Sequence, residues 1–421
     1  MRLPPLPAVI VAVLAGSVLA APAEATSPPA QVGLVSITHA QTYVAGGTTR
    51  ARIRIAWPAA KRATRYQVFV ARTKAKVAAQ RTPVKTVRKP RAWIPDLKRD
   101  TTYWFQVRAI NGSRVGPRSA RVARVTPIAQ ASLSLATHPR YSLMSYNVCS
   151  NACEKKRPWA KRERHVVDQI LQVRPDVVAV QEASRWTAAR IPGYTEALGG
   201  RDNRIFYRDA VFEQVKQEVD PAATAACRTA TGPPTEPCVL PVDGITTPPG
   251  KAAPWVMLRH RRSGQQVVFV GIHLQVGDSD ATARLRARQM TAIIAGLREQ
   301  LAWWGHDLER VPVALIGDFN TNRSRSNNAV FEKVMRQHGF WDAYEQAHRI
   351  VRQHQNTANP NWQWRVPGIG VTWGDHVDKV WVRPGRSMVK LWKNAARMNG
   401  DRYATPLPSD HHPLLVRAQL S

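Results

Sequence analysis

Acidic residues are scarce in this 421-residue chain: 29 Asp and Glu stand against 61 Lys and Arg, giving a formal net charge of +32 and a pI near 11.1. So one-sided a balance excludes indifference to polyanions and points to an anionic partner. Long apolar runs are also missing. Beyond residue 25 no stretch reaches the 18 or more consecutive apolar residues of a spanning helix, so an integral membrane protein is not expected, although surface attachment is compatible with the charge. Cysteine is limited to Cys149, Cys153, Cys227 and Cys238. The first pair's CxxxC spacing has no second Cys or His pair nearby, which excludes a zinc finger, whereas two disulfides would suit an oxidising compartment. Four thiols allow three pairings. Local pairing, Cys149 with Cys153 and Cys227 with Cys238, is expected, because the second bridge would close a Pro-rich and otherwise unsupported loop.

What is present is a 44% apolar composition and enough length for two or three folded domains. At the N-terminus, Arg2, the apolar stretch Ala8–Ala21 and Ala23-Glu-Ala25 have the order of a signal peptide, so residues 1–25 read as a leader and the mature protein as secreted and extracellular. From Val35 to Thr126, short alternating segments recur between turn residues, the pattern of an all-β sandwich. Ala51–Trp57 alternates strictly, putting Ile53, Ile55 and Trp57 on one face and Arg52 and Arg54 on the other. Trp57, Tyr66, Leu97, Tyr103, Val107, Ala109 and Asn111 are spaced as in a fibronectin type III domain, which this stretch resembles; the resemblance implies a domain over 31–128 with Tyr103 as its tyrosine corner. Residues 31–130 carry 21 Lys and Arg against Asp96 and Asp100, net +19, while 131–421 carry +13. More than half of the excess charge therefore sits on a non-catalytic module, and docking to an anionic polymer or cell surface is expected of it. Residues 129–139 read as a linker.

Residues 140–421 contain Val-, Ile- and Leu-rich runs that read as buried strands, with helical spacing over Ala160–Val173 and Ala281–Ala302. Most of these runs end in a polar group: Asn147, Glu182, His273, and Asp318 with Asn320. Asp378 opens another strand, and Ser409-Asp-His-His-Pro413 precedes the last. One carboxylate after a strand is usually a solvated turn. Six such ends can converge at one edge of a sheet. Carboxylate and amide oxygens without thiolates select a hard cation, Mg2+, Mn2+ or Ca2+, and such an ion beside two histidines and a spare acid is equipment for hydrolysing a phosphoester.

Tyr146-Asn147, Gln181-Glu182, His273-Leu274, Gly317-Asp-Phe-Asn320, Asp378 and Ser409–Pro413 occur in the order and spacing of the endonuclease/exonuclease/phosphatase superfamily, which includes pancreatic deoxyribonuclease, abasic-site endonucleases, inositol-phosphate phosphatases and neutral sphingomyelinases. This resemblance implies a four-layer α/β sandwich, two mixed sheets flanked by helices. It also implies Glu182 as principal metal ligand with Asn147 and Asp410 adjacent, Asp318 acting on the attacking water, and Asn320 on the phosphate oxygens. His411, oriented by Asp378, would bind phosphate or shuttle a proton, and His273 would serve the leaving group. Thr372, Asn203 and Tyr207 are expected near the substrate. Lys379 departs from the Tyr or Arg common there in relatives, which bears on groove contacts, and Asp220–Pro254 reads as an inserted loop. The combined expectation is a monomeric, metal-dependent phosphodiesterase acting on nucleic acid, DNA before RNA. A sphingomyelinase-like enzyme, a small-molecule phosphatase and a non-enzymatic polyanion- or matrix-binding protein are the alternatives.

Overall fold

The structure, a computed structural model, describes residues 27–186, 191–198, 202–215, 239–240, 253–323, 328–366 and 374–421. The leader (1–25), Cys227, Cys238, Thr372 and most of the inserted loop lie outside them.

The apolar runs of the second module form two mixed sheets packed face to face. One takes, in order, the strands Tyr194–Leu198, Arg204–Arg208, Val177–Gln181, Arg140–Asn147, Leu414–Leu420, Ser387–Asn394 and Arg349–Val351. The other takes Phe212–Gln214, Ala253–His260, Gln266–His273, Val313–Asp318, Asp378–Val382 and Trp341–Asp342. The runs are continuous rather than alternating where helices cover the outer face of a sheet as well as its inner one. Leu143, Val177 and Ala179 meet Phe269 and Ile316 between the sheets. Their neighbours Met144, Val178 and Val180 turn outward onto Val166 and Ile170 of the helix Trp159–Val173. On the second sheet, Val268, Val270 and Leu315 pack outward onto Met290, Ile294 and Leu297 of the helix Asp280–Trp303, whose N-cap Ser279 accepts the Thr282 N–H. Each such buried side chain contributes about 1.5–3 kcal/mol.

The N-terminal module is a two-sheet sandwich, Ser36–Ala45, Thr48–Ala56 and Arg91–Leu97 against Lys85–Val87, Arg65–Ala71, Thr102–Asn111 and Arg114–Arg118, with Val122–Val125 also on Thr102–Asn111. Ile53, Ile55 and Trp57 are buried while Arg52 is exposed, as the alternation requires, and Trp57 meets Tyr66 edge to face at 5.4 Å. The Lys98 N–H donates to Tyr103 Oη at 3.0 Å.

The modules are less separate than the sequence suggests. Ser36–Ala45 pairs with Arg349–Val351 through His39 and Arg349, and the Ala40 N–H donates to His348 O at 2.9 Å, so the sandwich's first sheet and the second module's first sheet form one ten-stranded sheet. Residues 129–139 are not a free tether. Gln130 donates to Gln346 O and accepts from the Val389 N–H, the Ala131 N–H donates to Pro384 O at 2.8 Å, and Gln419 donates to His138 O at 2.7 Å. Composition marks such a segment as aperiodic but cannot say where its hydrogen bonds go. Arg124, fully buried, lies over the Tyr344 ring and donates to the carbonyls of Tyr344, Glu345 and Ala347.

The same seam holds two histidines, His376 buried and His348 half-buried. His376 lies between Tyr344 and Trp392, with ring centroids 5.0 and 4.6 Å away; burial, then the Lys379 charge, lowers its pKa to about 3. Burial, then Lys390, lowers that of His348 to about 4. Both stay neutral in the fold where the unfolded chain takes up protons, so their contribution is complete above pH 6.5 and is lost as pH falls below it. Denaturant unfolding at pH 7, 6, 5 and 4 is expected to show stability falling by about 1.4 kcal/mol per pH unit for each proton. A flat profile across this range would contradict it.

Candidate active site

The register of the two sheets assembles the polar strand ends. His273 pairs with Asp318 across parallel strands, and Asp318 with Asp378 across antiparallel ones, so three adjacent strands present them side by side. In the facing sheet Asn147 pairs with Gln181, putting Glu182 just past the strand end. Glu182 and Asn320 take left-handed backbone, with φ of 55° and 49°, a conformation that non-glycine residues adopt mainly where surrounding structure enforces it. Gly317 is required for a different reason: a Cβ there would lie 1.9 Å from the Ile272 carbonyl oxygen, so no larger residue fits beside Asp318.

The side chains form a chain of contacts. Asp202 Oδ2 holds His273 Nδ1 at 2.8 Å, and His273 Nε2 faces Glu182 Oε1 at 3.9 Å. Asn147 Nδ2 donates to Glu182 Oε1 at 2.9 Å and to Asp318 Oδ2 at 3.1 Å. Asp318 Oδ2 lies 3.9 Å from His411 Nε2, whose Nδ1 is held by Asp378 Oδ2 at 2.8 Å. Two carboxylate-imidazole pairs thus flank a central Glu, Asn and Asp. Asn320 fastens the other edge: its N–H donates to Asp318 Oδ1 at 2.8 Å and its Nδ2 to Leu274 O at 3.0 Å.

The electrostatics follow. Burial opposes a charge on His411, but Asp378, with Asp318 and Asp410 behind it, raises its pKa to about 10, so the imidazole is a cation at neutral pH. Burial raises the Asp378 carboxyl. Asp318 is driven upward by burial too, but His411, His273, the Asn320 N–H and Asn147 outweigh it and hold it ionised. Within a strongly basic protein, Glu182, Asp202, Asp318, Asp378 and Asp410 make this edge locally acidic.

That donor set fits a hard divalent ion. The oxygens of Glu182, Asp318 and Asp410 are carboxylates and that of Asn147 an amide; ligand atoms of Asp318, Asp378 and His411 also lie within 4.8 Å of one another, but His411 is a cation held by Asp378 and has no lone pair to offer. Asp410 lies within 4.8 Å of the Cys149 and Cys153 sulfurs, but these form the expected disulfide and offer no thiolate. Arg162, buried on the helix Trp159–Val173, braces this corner by donating to the carbonyls of Val148, Cys149 and Pro408 at 2.7–3.0 Å.

Asn147, Glu182, His273, Asp318, Asn320, Asp378 and His411 come together as the sequence predicts, with Asp410 beside them. Asn203 lies next to Arg204, whose partner Val180 adjoins the Glu182 end. Tyr207 does not reach the site: its strand runs antiparallel to Val177–Gln181, so Tyr207 pairs with Val177 at the far end and packs into the core. Lys379 is no groove residue either. It turns inward and its Nζ donates to Asp342 Oδ2 at 2.7 Å, both side chains being buried. Asp202 was missed by sequence reasoning, which followed polar residues after strands. It precedes one, Arg204–Arg208, and the antiparallel direction brings that strand's start to the same edge.

The family model described as Endonuclease/Exonuclease/phosphatase family matches residues 144–411. Among solved structures, the chain is similar to an endonuclease/exonuclease/phosphatase family protein from Bacteroides thetaiotaomicron (18% identity, TM-score 0.47, covering 68% of this chain and 99% of that one). It is also similar to a mannosyl-6-phosphatase from Bacteroides thetaiotaomicron (18%, 0.45, 66% and 99%) and to D. rerio TDP2 in complex with single strand DNA product (17%, 0.43, 66% and 99%). No curated protein matches it.

Proposed function

The chain belongs to the endonuclease/exonuclease/phosphatase family, whose members hydrolyse phosphoester bonds, and from that premise we propose that it is a divalent-metal-dependent phosphodiesterase that hydrolyses DNA. The observation that carries the reading is the ionised, buried Asp318 set between the Asp202–His273 and Asp378–His411 pairs.

Glu182, Asn147 and Asp410 would hold Mg2+, Mn2+ or Ca2+, which as a Lewis acid stabilises charge on the phosphate. Asp318 orients the water that attacks phosphorus in line with the leaving oxygen and accepts the proton that the water loses. His411, kept cationic by Asp378, binds a non-bridging phosphate oxygen, and Asn320 adds a hydrogen bond as charge grows there. His273, kept in one tautomer by Asp202, delivers a proton to the departing oxygen as the P–O bond breaks. Asn203 adjoins the substrate; Thr372, outside the described residues, is assigned to a phosphate by the family resemblance alone. The +32 charge supports a polyanionic substrate.

The wider organisation belongs to the same proposal: a leader over 1–25 removed on export to the extracellular space, a fibronectin type III-like domain over 31–128, and the catalytic domain from 140 onward. The Lys98–Tyr103 hydrogen bond and the Trp57–Tyr66 pair support the fibronectin-like reading. A parallel assay of plasmid DNA, RNA, sphingomyelin and a sugar phosphate, with Mg2+ or Mn2+ and with chelator, tests the function. DNA is expected to be nicked only with metal. Release of phosphocholine or inorganic phosphate with DNA untouched would overturn it.

A further inference from the structure

The ten-stranded sheet has an outer face that the helix Trp159–Val173 covers only at one end. From the strand Leu414–Leu420 onward, through Ser387–Asn394, Arg349–Val351, Ser36–Ala45, Thr48–Ala56 and Arg91–Leu97, the register aligns a row across that face with an arginine on every second strand. Arg417 pairs with Leu391, Leu391 with Arg349, Arg349 with His39, His39 with Arg54, and Arg54 with Trp93. Arg52 follows on the same face of its strand, stacked over Trp93 at 5.0 Å and Tyr43 at 5.5 Å and fastened by Gln41. Arg52, Arg349 and Arg417 are exposed.

The charges on this face act on one another across the seam. Burial first, then Arg54 from one module and Arg349 from the other, lowers the pKa of His39. Burial, then Arg352, Arg417 and Arg349, lowers that of Lys393. Of the six strands, only Arg91–Leu97 contains an acid, Asp96, and it is paired with Arg50 and Tyr43 at the edge.

We propose that this open sheet face, continuous across both modules, is a docking track for the phosphate backbone of duplex DNA. Like-charged side chains held in register with no acid between them are stabilised by a polyanion and by little else the molecule offers. Five steps between strands of about 4.8 Å make the track roughly 24 Å wide, the length of about seven base pairs. The face favours nucleic acid over a membrane because its aromatics, Trp93 and Tyr43, lie half-buried beneath Arg52 rather than projecting as an apolar wedge. Asp410 and His411 immediately precede the strand Leu414–Leu420, so DNA on the track lies on the sheet whose end carries the reacting groups. The choice of DNA rests on the proposed function.

The test titrates full-length protein against a duplex of about 30 base pairs in chelator, at salt from about 50 to 200 mM. Neutralising Arg52, Arg349 and Arg417 (R52S/R349S/R417S) is expected to weaken binding tenfold or more and to reduce the salt slope by about two to three. A control of equal charge change on the opposite sheet of the sandwich and the short helix Lys74–Ala79 beside it (R65S/K74S/R114S) is expected to retain most of the affinity. Both should turn over a short chromogenic phosphodiester like wild type; if the first triple does not, R349S/R417S replaces it. Equal losses in both triples, no loss in the first, or a loss confined to phosphatidylserine vesicles would overturn the proposal. Because binding is read without metal, failure of DNA cleavage leaves this test intact and counts against the proposed function alone.

Discussion

Replacing Asp318 with asparagine is expected to lower kcat for DNA by about three orders of magnitude while leaving the fold in place. The amide keeps the size of the side chain and an oxygen to accept the Asn320 N–H. What it loses is the negative charge that orients water and that faces both imidazoles. The fold should survive the change: it forfeits the attraction of His411 and His273 that holds Asp318 ionised, and the relief of repulsion with Asp378 on the adjacent strand offsets part of that loss. Steady-state kinetics beside denaturant unfolding checks this. A kcat within tenfold of wild type would remove Asp318 from the chemistry, and an unfolded variant would show that its charge is structural.

The largest stability effect is expected at Lys379. Its ammonium and the Asp342 carboxylate are buried together, and Asp342 also caps a short helix by accepting the Tyr344 N–H at 2.9 Å. Lys379→Met leaves that carboxylate uncompensated in the interior, at a cost of about 3–5 kcal/mol, a large part of an ordinary domain's stability. Adding Asp342→Asn, which keeps an oxygen for the cap but removes the stranded charge, should recover much of the loss. A loss below about 1 kcal/mol in the single variant, read from urea midpoints, would mean that the pair is open to water.

Most of the site was legible because its members close apolar strands, and strand ends in an α/β sheet converge. Asn147, Glu182, His273 and Asp318 all obey that rule, and the register brings them together. Asp202 and Tyr207 mark where the rule fails. Both depend on the antiparallel direction of Arg204–Arg208, which no local pattern reveals: the residue before the strand reaches the site and the one near its end does not. The sandwich was legible from its alternation. Its fusion to the second module was not, since one register pair, His39 with Arg349, and one hydrogen bond, Ala40 N–H to His348 O, join segments over 300 positions apart and leave no periodicity to read. The burial of Lys379 against Asp342 was not legible for a related reason. In a strand buried on both faces, alternation gives the side a residue takes but not whether a buried partner waits there.

Nicking of supercoiled plasmid by wild type and Asp318→Asn, side by side with Mg2+ and after chelation, tests the central claim most directly. Nicked circles should accumulate only in the wild-type sample with Mg2+. Equal nicking by both proteins, or nicking that survives chelation, would contradict the account.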